Sequence, residues 1–226
     1  MGAFAEVALA LFRLRRFVLN VTLNAYNAKT VAKSTSADLA CVAWLFRVGG
    51  SGATLELVKD EGENSENSNL TSVELKSGRE FKSFLRTMGN SGELERFRLV
   101  KADFTDSMVS SEGLYYFRGV TSLRELKFNF CTYFDDACLR RLTVLKDSLE
   151  VLEIVGTIRV TDEALLTHLS ALYKLKRLHL YALSPQTISE EARRRTLIRL
   201  SVALPDCKVT FPPVGTVGLG YDDNEK

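Results

Sequence analysis

The chain has 226 residues, 46% apolar and 26% charged, enough for one globular domain or for one domain with an appended cap. A formal net charge of +2 is too small for a phosphate-binding protein, which needs a concentrated basic face, and no uninterrupted apolar run is long enough to span a membrane. Four cysteines without a CxxC pair or zinc spacing argue against a disulfide scaffold and read as buried free thiols in a reducing compartment.

The charge is uneven along the chain. Five basic residues (Arg13, Arg15, Arg16, Lys29, Lys33) and one acid (Glu6) precede Asp38, leaving 25 basic and 27 acidic residues for the remainder. Between Phe4 and Leu23 the apolar residues Val7, Leu11, Leu14, Val18 and Val21 fall on one helical stripe. Arg13, Arg16, Asn20 and Asn24 fall on another. The arginines interrupt the apolar stretch that a secretory signal requires, so residues 1–16 are expected to form a mitochondrial presequence. The alternative is an ordinary amphipathic helix of the mature protein.

Residues 17–92 are expected to form a helical N-terminal cap. Ala37 to Phe46 reads as a helix anchored by Trp44 and stopped by Gly49 and Gly50. Lys59 to Ser72 is acidic and rich in Asn and Ser, a polar loop. Arg79 to Met88 is a second helix, apolar at Phe81, Phe84, Leu85 and Met88.

Residues 93–211 carry an internal repeat. Four segments read LxxΦxΦ, with Φ apolar: Leu94-Phe97-Leu99, Leu123-Leu126-Phe128, Leu149-Leu152-Ile154 and Leu175-Leu178-Leu180. Their starts are 29, 26 and 26 residues apart, within the period of leucine-rich repeats. After each of the middle strands comes an acid, Asp136 or Asp162, where a helix should begin, followed by leucines at helical spacing. The predicted fold is therefore α/β: a leucine-rich-repeat solenoid of about four strand–helix repeats with a helical N-terminal cap. The inward polar position of such repeats falls on Ala102, Cys131, Thr157 and Leu183, so only two units can bond their loop there. Ser189 is placed to cap a last helix, Pro205 ends it, Cys207 to Phe211 reads as a final strand, and residues 212–226 as a disordered tail.

No nucleophile elbow, zinc-protease, phosphate-loop or dinucleotide motif is present. His168 and His179 fall on different faces, and Asp135, Asp136 and Cys138 read as helix capping and core more readily than as a metal site. Gly49, Gly50 and Gly52 lack the Lys and Ser or Thr of a phosphate loop. No catalytic residues are assigned. The candidate site is the strand face between the apolar positions. It carries Arg96, Arg98, Glu125, Lys127, Glu153, Arg177 and His179, with Asn129 and Tyr181 in the following row. This face is expected to bind protein.

The segment from Tyr133 to Leu142 (Tyr-Phe-Asp-Asp-Ala-Cys-Leu-Arg-Arg-Leu) resembles the ATP synthase subunit s (coupling factor B) family and its relative, the distal membrane-arm assembly component 2 protein. So do Asp147-Ser148-Leu149-Glu150, Val160-Thr161-Asp162 and Ala203 to Val209. Leu23-Asn24-Ala25, the segment from Asp38 to Gly49 with Trp44, and Thr105-Asp106-Ser107 look like subunit s in particular. The resemblance implies a non-catalytic mitochondrial protein on the matrix side of the inner membrane, peripheral to it. It would serve ATP synthase coupling or assembly of the complex I membrane arm, and its mature start would lie near Phe17. It implies no required cofactor, and a Mg2+ ion held by the main-chain carbonyls of Gly49 and Thr105. The stretch from Lys59 to Ser72, the turn Leu183-Ser184-Pro185 and the C-terminal tail depart from the family. The competing reading is a substrate-recognition subunit of a ubiquitin ligase, but residues 37–58 are too short and glycine-rich for the helical module it needs before the repeats.

Overall fold

The structure, a computed structural model, describes residues 2–58, 72–89, 92–157, 159–183 and 189–213. The expected polar loop up to Thr71 and the tail from residue 214 lie outside the described residues.

The constant 26-residue spacing becomes strand register. Strands β4 (Glu125–Asn129), β5 (Val151–Val155) and β6 (Arg177–Tyr181) pair in parallel, so that Leu126, Leu152 and Leu178 stand in one row and Phe128, Ile154 and Leu180 in another. All six side chains are fully buried. Parallel neighbours need a crossover. Helices α5 (Asp136–Leu142) and α6 (Asp162–Leu169) supply it and bury Leu139, Leu142, Leu165 and Leu169 in the same core. Helix α7 (Glu190–Ala203) then leads to β7 (Lys208–Thr210), which pairs in parallel with β6. The expected cap is in place: the Ser189 hydroxyl accepts from the Ala192 N–H at 3.2 Å.

The N-terminal third is not purely helical. Besides α1 (Gly2–Thr22), α2 (Ala28–Lys33), α3 (Ala37–Arg47) and α4 (Gly78–Met88), it contributes β1 (Gly52–Leu57) and β2 (Ser72–Leu75). These pair antiparallel with each other, and β1 also pairs antiparallel with β3 (Phe97–Asp103). Ser72, expected to close the polar loop, opens β2. The whole is a mixed α/β fold around one mostly parallel seven-stranded sheet of order β2-β1-β3-β4-β5-β6-β7.

The first repeat is displaced from its expected position. Lys101 pairs with Glu125 and Ala102 with Leu126, so the unit aligned with Leu123-Leu126-Phe128 is Leu99-Ala102-Phe104 rather than Leu94-Phe97-Leu99. The β1–β3 pairing is irregular just here. Thr54 faces Lys101 while Leu55 faces Leu99, leaving Val100 as an extra residue. Such a bulge resets the inside–outside alternation, and Phe97, Leu99, Ala102 and Phe104 are all buried. This unit also lacks an α-helix, having only a 3-10 turn at Gly113–Phe117 after its strand. Trp44 from α3 covers it, with ring centroids 5.0 Å from Phe104 and 5.4 Å from Tyr116.

The helix caps fall one residue earlier than expected. Asp135, not Asp136, caps α5 by accepting from the Cys138 N–H at 3.2 Å. Thr161, not Asp162, caps α6 by accepting from the Ala164 N–H at 3.2 Å. Asp136 is thereby free to join the two units: its carboxylate accepts from the Thr161 N–H at 2.8 Å and from the Thr161 hydroxyl at 2.9 Å.

Helix α1 runs through the expected presequence boundary at Phe17 without a break. It is tied to the body ahead of that point by Phe12 and Arg16 and after it by Asn20, which accepts from the Ser110 hydroxyl at 2.7 Å. Phe12 stacks on Tyr133 with centroids 5.2 Å apart, and Arg16 pairs with Asp135 at 2.7 Å. Just beyond its end, fully buried Asn24 donates to the Met108 carbonyl at 2.8 Å and accepts from the Ser110 N–H at 3.1 Å.

Candidate interaction surface

One face of the sheet packs on the helices and the other carries the alternate residues of each strand. The parallel register arranges these in rows. The first row is Lys101, Glu125, Val151, Arg177 and Lys208. The second is Asp103, Lys127, Glu153, His179 and Thr210. Asn129, Val155 and Tyr181 begin a third. Of the nine residues singled out in the sequence, seven stand together here: Glu125, Lys127, Asn129, Glu153, Arg177, His179 and Tyr181.

Arg96 and Arg98 do not join them. Arg96 lies in a 3-10 turn ahead of β3 and donates to the Val58 carbonyl at 3.1 Å. Arg98 pairs with Glu56 across the antiparallel ladder and turns its guanidinium to the Glu95 carbonyl. The bulge at Val100 separates them from the rows, and Lys101 and Asp103 take the places assigned to them. The signal was present in Leu99-Ala102-Phe104, which fits LxxΦxΦ once alanine is admitted as apolar.

Charges alternate across the strands and are mutually paired. Lys101 meets Glu125 at 2.9 Å, and Lys127 approaches Glu153 at 3.8 Å. Glu153 is buried and also accepts from the Asn129 amide. Arg124 pairs with Glu56, and Lys176 with Glu150 at 2.9 Å, along the edge of this face. The lysine holds the Glu150 carboxyl below its ordinary range. At the far end the Nδ1 of His179 lies 2.9 Å from the Thr210 hydroxyl, and partial burial pushes its imidazole pKa down. The β1–β3–β4 part of the surface is hollowed into an open groove of about 380 Å³ whose lining includes Thr54, Glu74, Lys101 and Lys127. The surface is thus polar and pre-ordered, basic at Arg177 and Lys208, and of alternating sign in the middle. That arrangement suits a protein surface of complementary charge.

The remaining candidates have structural partners. Cys41, Cys131, Cys138 and Cys207 are buried and free. Burial raises all four thiol pKa values, those of Cys131 and Cys207 to about 11. The Cys131 thiol donates to the Phe104 carbonyl at 3.0 Å, the loop bond expected of it. Thr157, the other residue expected to make such a bond, is buried, and among the described residues its hydroxyl has no hydrogen-bond partner. His168 sits on α6, on the helix side, and His179 on the sheet face. Among the described residues no group of three or more His, Cys, Asp or Glu side chains is placed to hold a metal.

Gly49 and Thr105 lie on two loops tied together. The Ser51 hydroxyl donates to the Thr105 carbonyl at 3.0 Å, and the Met108 N–H to the Val48 carbonyl at 2.8 Å. A carbonyl oxygen has a second lone pair, so the Thr105 carbonyl can accept a further bond, and the φ of +88° at Gly49 favours a residue without a Cβ.

No family model matches the chain. Curated relatives do. Mitochondrial ATP synthase subunit s from Bos taurus is 29% identical over 79 residues, which is 34% of this chain and 40% of the relative. The Homo sapiens protein of the same name is 28% identical over 79 residues, with the same coverage. The Mus musculus protein is 32% identical over 76 residues, 32% of this chain and 38% of the relative. The chain therefore spans about 40% of the length of the curated relatives it matches. Over that third of its own length, this chain is similar to proteins named mitochondrial ATP synthase subunit s.

Proposed function

We propose that this chain is a non-catalytic, protein-binding accessory or assembly subunit of a mitochondrial inner-membrane respiratory complex, held on the matrix side. In this reading residues 99–211 are a short leucine-rich-repeat array, and its helix-free sheet face receives the partner. The observation that carries it is the pair of ion pairs Lys101–Glu125 and Lys127–Glu153, ordered by parallel register on a face against which, among the described residues, no helix packs. An enzyme would need convergent polar groups around a substrate. Here the polar groups of the sheet face are spread in rows and engage one another.

The relatives named ATP synthase subunit s favour ATP synthase as the complex. Assembly of the complex I membrane arm is the second reading, resting on the Tyr133–Leu142 segment that both branches of the family resemble. A Mg2+ ion bound by the carbonyls of Gly49 and Thr105 belongs to the same proposal. It would brace the loop after α3 against the loop after β3, and isothermal titration with MgCl2 against CaCl2 tests it.

The main test is a C-terminally tagged full chain expressed in cells, with mitochondria resolved on native gels and the tagged band identified by mass spectrometry. Co-migration with ATP synthase supports the first reading and co-migration with complex I intermediates the second. A cytosolic protein bound to ligase scaffold subunits would overturn both.

A further inference from the structure

Helix α1 docks the wrong way round for a helix that only completes a core. An amphipathic helix ordinarily buries its apolar stripe and leaves its polar stripe in water. Here the face turned to the body carries Phe12 together with Arg16 and Asn20 of the polar stripe. Arg16 pairs with Asp135, and Asn20 accepts from the Ser110 hydroxyl at 2.7 Å. The apolar stripe is left outside: Val7, Leu11, Leu14, Val18 and Val21 are 47–61% exposed, with Phe17 beside them at 63%. The spacing of the five, alternately four and three residues, places them on one line along the helix. Among the described residues no other element covers that line.

We propose that this stripe of α1 lies in an anionic lipid surface, with the helix axis parallel to the membrane plane. Charge selects lipid over a second protein. From Val7 to Ala37 the chain has five basic residues and no acid, a balance that attracts anionic headgroups. On the helical wheel Arg13 and Arg15 fall on opposite flanks of the stripe, at the boundary between the apolar and docked faces. Long arginine side chains in that position keep their charge in the headgroup layer while the leucines enter the acyl boundary. Among the described residues no helix is long and apolar enough to cross a membrane, so the proposed arrangement is one of lying on the surface. Because α1 is fastened to the Tyr133–Asp135 loop and, through Asn24, to the Met108–Ser110 segment, lipid contact would fix the orientation of the whole chain. The inference concerns the chain with α1 in place and does not rest on the sheet face as a binding surface.

The test is flotation of the full chain with phosphatidylcholine vesicles made with and without phosphatidylglycerol, alongside light scattering of the protein alone. The expected result is binding to the anionic vesicles, weakened by salt, with little binding to phosphatidylcholine. The double variant Leu14→Glu/Val18→Glu should lose about tenfold or more in affinity, and Arg13→Gln/Arg15→Gln should lose the preference for anionic lipid. All three chains should melt within a few degrees of one another, since Arg13, Leu14 and Val18 are exposed and Arg15 touches the body only through the Tyr133 ring at 5.9 Å. Equal vesicle binding by the wild type and the Glu variant would overturn the proposal. So would a wild-type dimer that binds no vesicle and that the Glu variant turns into a monomer, since the stripe would then be a protein interface.

Discussion

Asn24 joins the N-terminal helix to the body through two bonds that nothing else can replace. Its side chain is fully buried, donating to the Met108 carbonyl at 2.8 Å and accepting from the Ser110 N–H at 3.1 Å. Asn24→Ala leaves both backbone groups without a partner. Each unsatisfied buried group costs about 1–3 kcal/mol, and partial entry of water at the Met108 side keeps the sum near 3 kcal/mol. Trp44, the only tryptophan, lies beside this junction: a Cβ added at Gly113 would stand 2.4 Å from both the Asn24 amide oxygen and the Trp44 ring. Urea unfolding followed by Trp44 fluorescence therefore reports on it directly. With a slope of about 2–3 kcal/mol per M, the midpoint should fall by about 1 M. Val21→Ala, an exposed control near the end of α1, should change stability by less than about 0.5 kcal/mol. A midpoint for Asn24→Ala within the control's range, at unchanged slope, would refute the reasoning.

Other expectations follow from the same structure. Asp136→Ala removes two bonds between neighbouring units, so its urea midpoint should drop by the equivalent of about 2–3 kcal/mol; no change would mean the units stack without it. Burial raises the Asp38 carboxyl above its ordinary 3.8, although the Leu99 N–H and Arg98 oppose the shift. The folded state therefore holds this proton more tightly than the unfolded chain, and wild-type stability is lost as pH rises through that window. Asp38→Asn, which keeps an acceptor for the Leu99 N–H, should gain on the wild type between acid and neutral pH in parallel urea titrations; a pH-independent difference would sink the argument. His179 behaves oppositely. Burial lowers its pKa below 6.5, so the stability it permits is present above 6.5 and lost as pH falls below it. His179→Gln should flatten the melting temperature between pH 7.5 and 5.5, about one unit either side of an unperturbed imidazole.

The strongest sequence signal was the 26-residue period, because parallel register must place equivalent residues side by side once each crossover has constant length. Leu126, Leu152 and Leu178 show this directly. The signal weakened where local geometry departs from the repeat. The first unit stands five positions later than expected, and the extra residue at Val100 resets the alternation so that Lys101 and Asp103, not Arg96 and Arg98, join the rows. Alternation at Ala53, Leu55 and Leu57 was strand-like, yet two short antiparallel strands flanking a long polar segment have no turn signature to join them. The caps shifted by one because two adjacent side chains could each serve, and only the tertiary bond from Asp136 to Thr161 decides between them. The amphipathic pattern of α1 was plain in the sequence. Which stripe would face the body was not, since that depends on Asp135 and Ser110, over a hundred and about ninety residues away.

The central claim is that the helix-free sheet face binds a subunit of a respiratory complex. The most direct measurement is retention of the Arg177→Glu/Lys208→Glu variant on that complex, read by native gel and quantitative mass spectrometry against wild-type chain in the same mitochondria. Both side chains project from the face and neither is buried, so the fold should survive, with a urea midpoint near that of the wild type. The account predicts a loss of about tenfold or more in complex-bound chain, as expected when charge complementarity at an interface is reversed. Undiminished retention of a folded variant would place the partner on another surface and contradict the account.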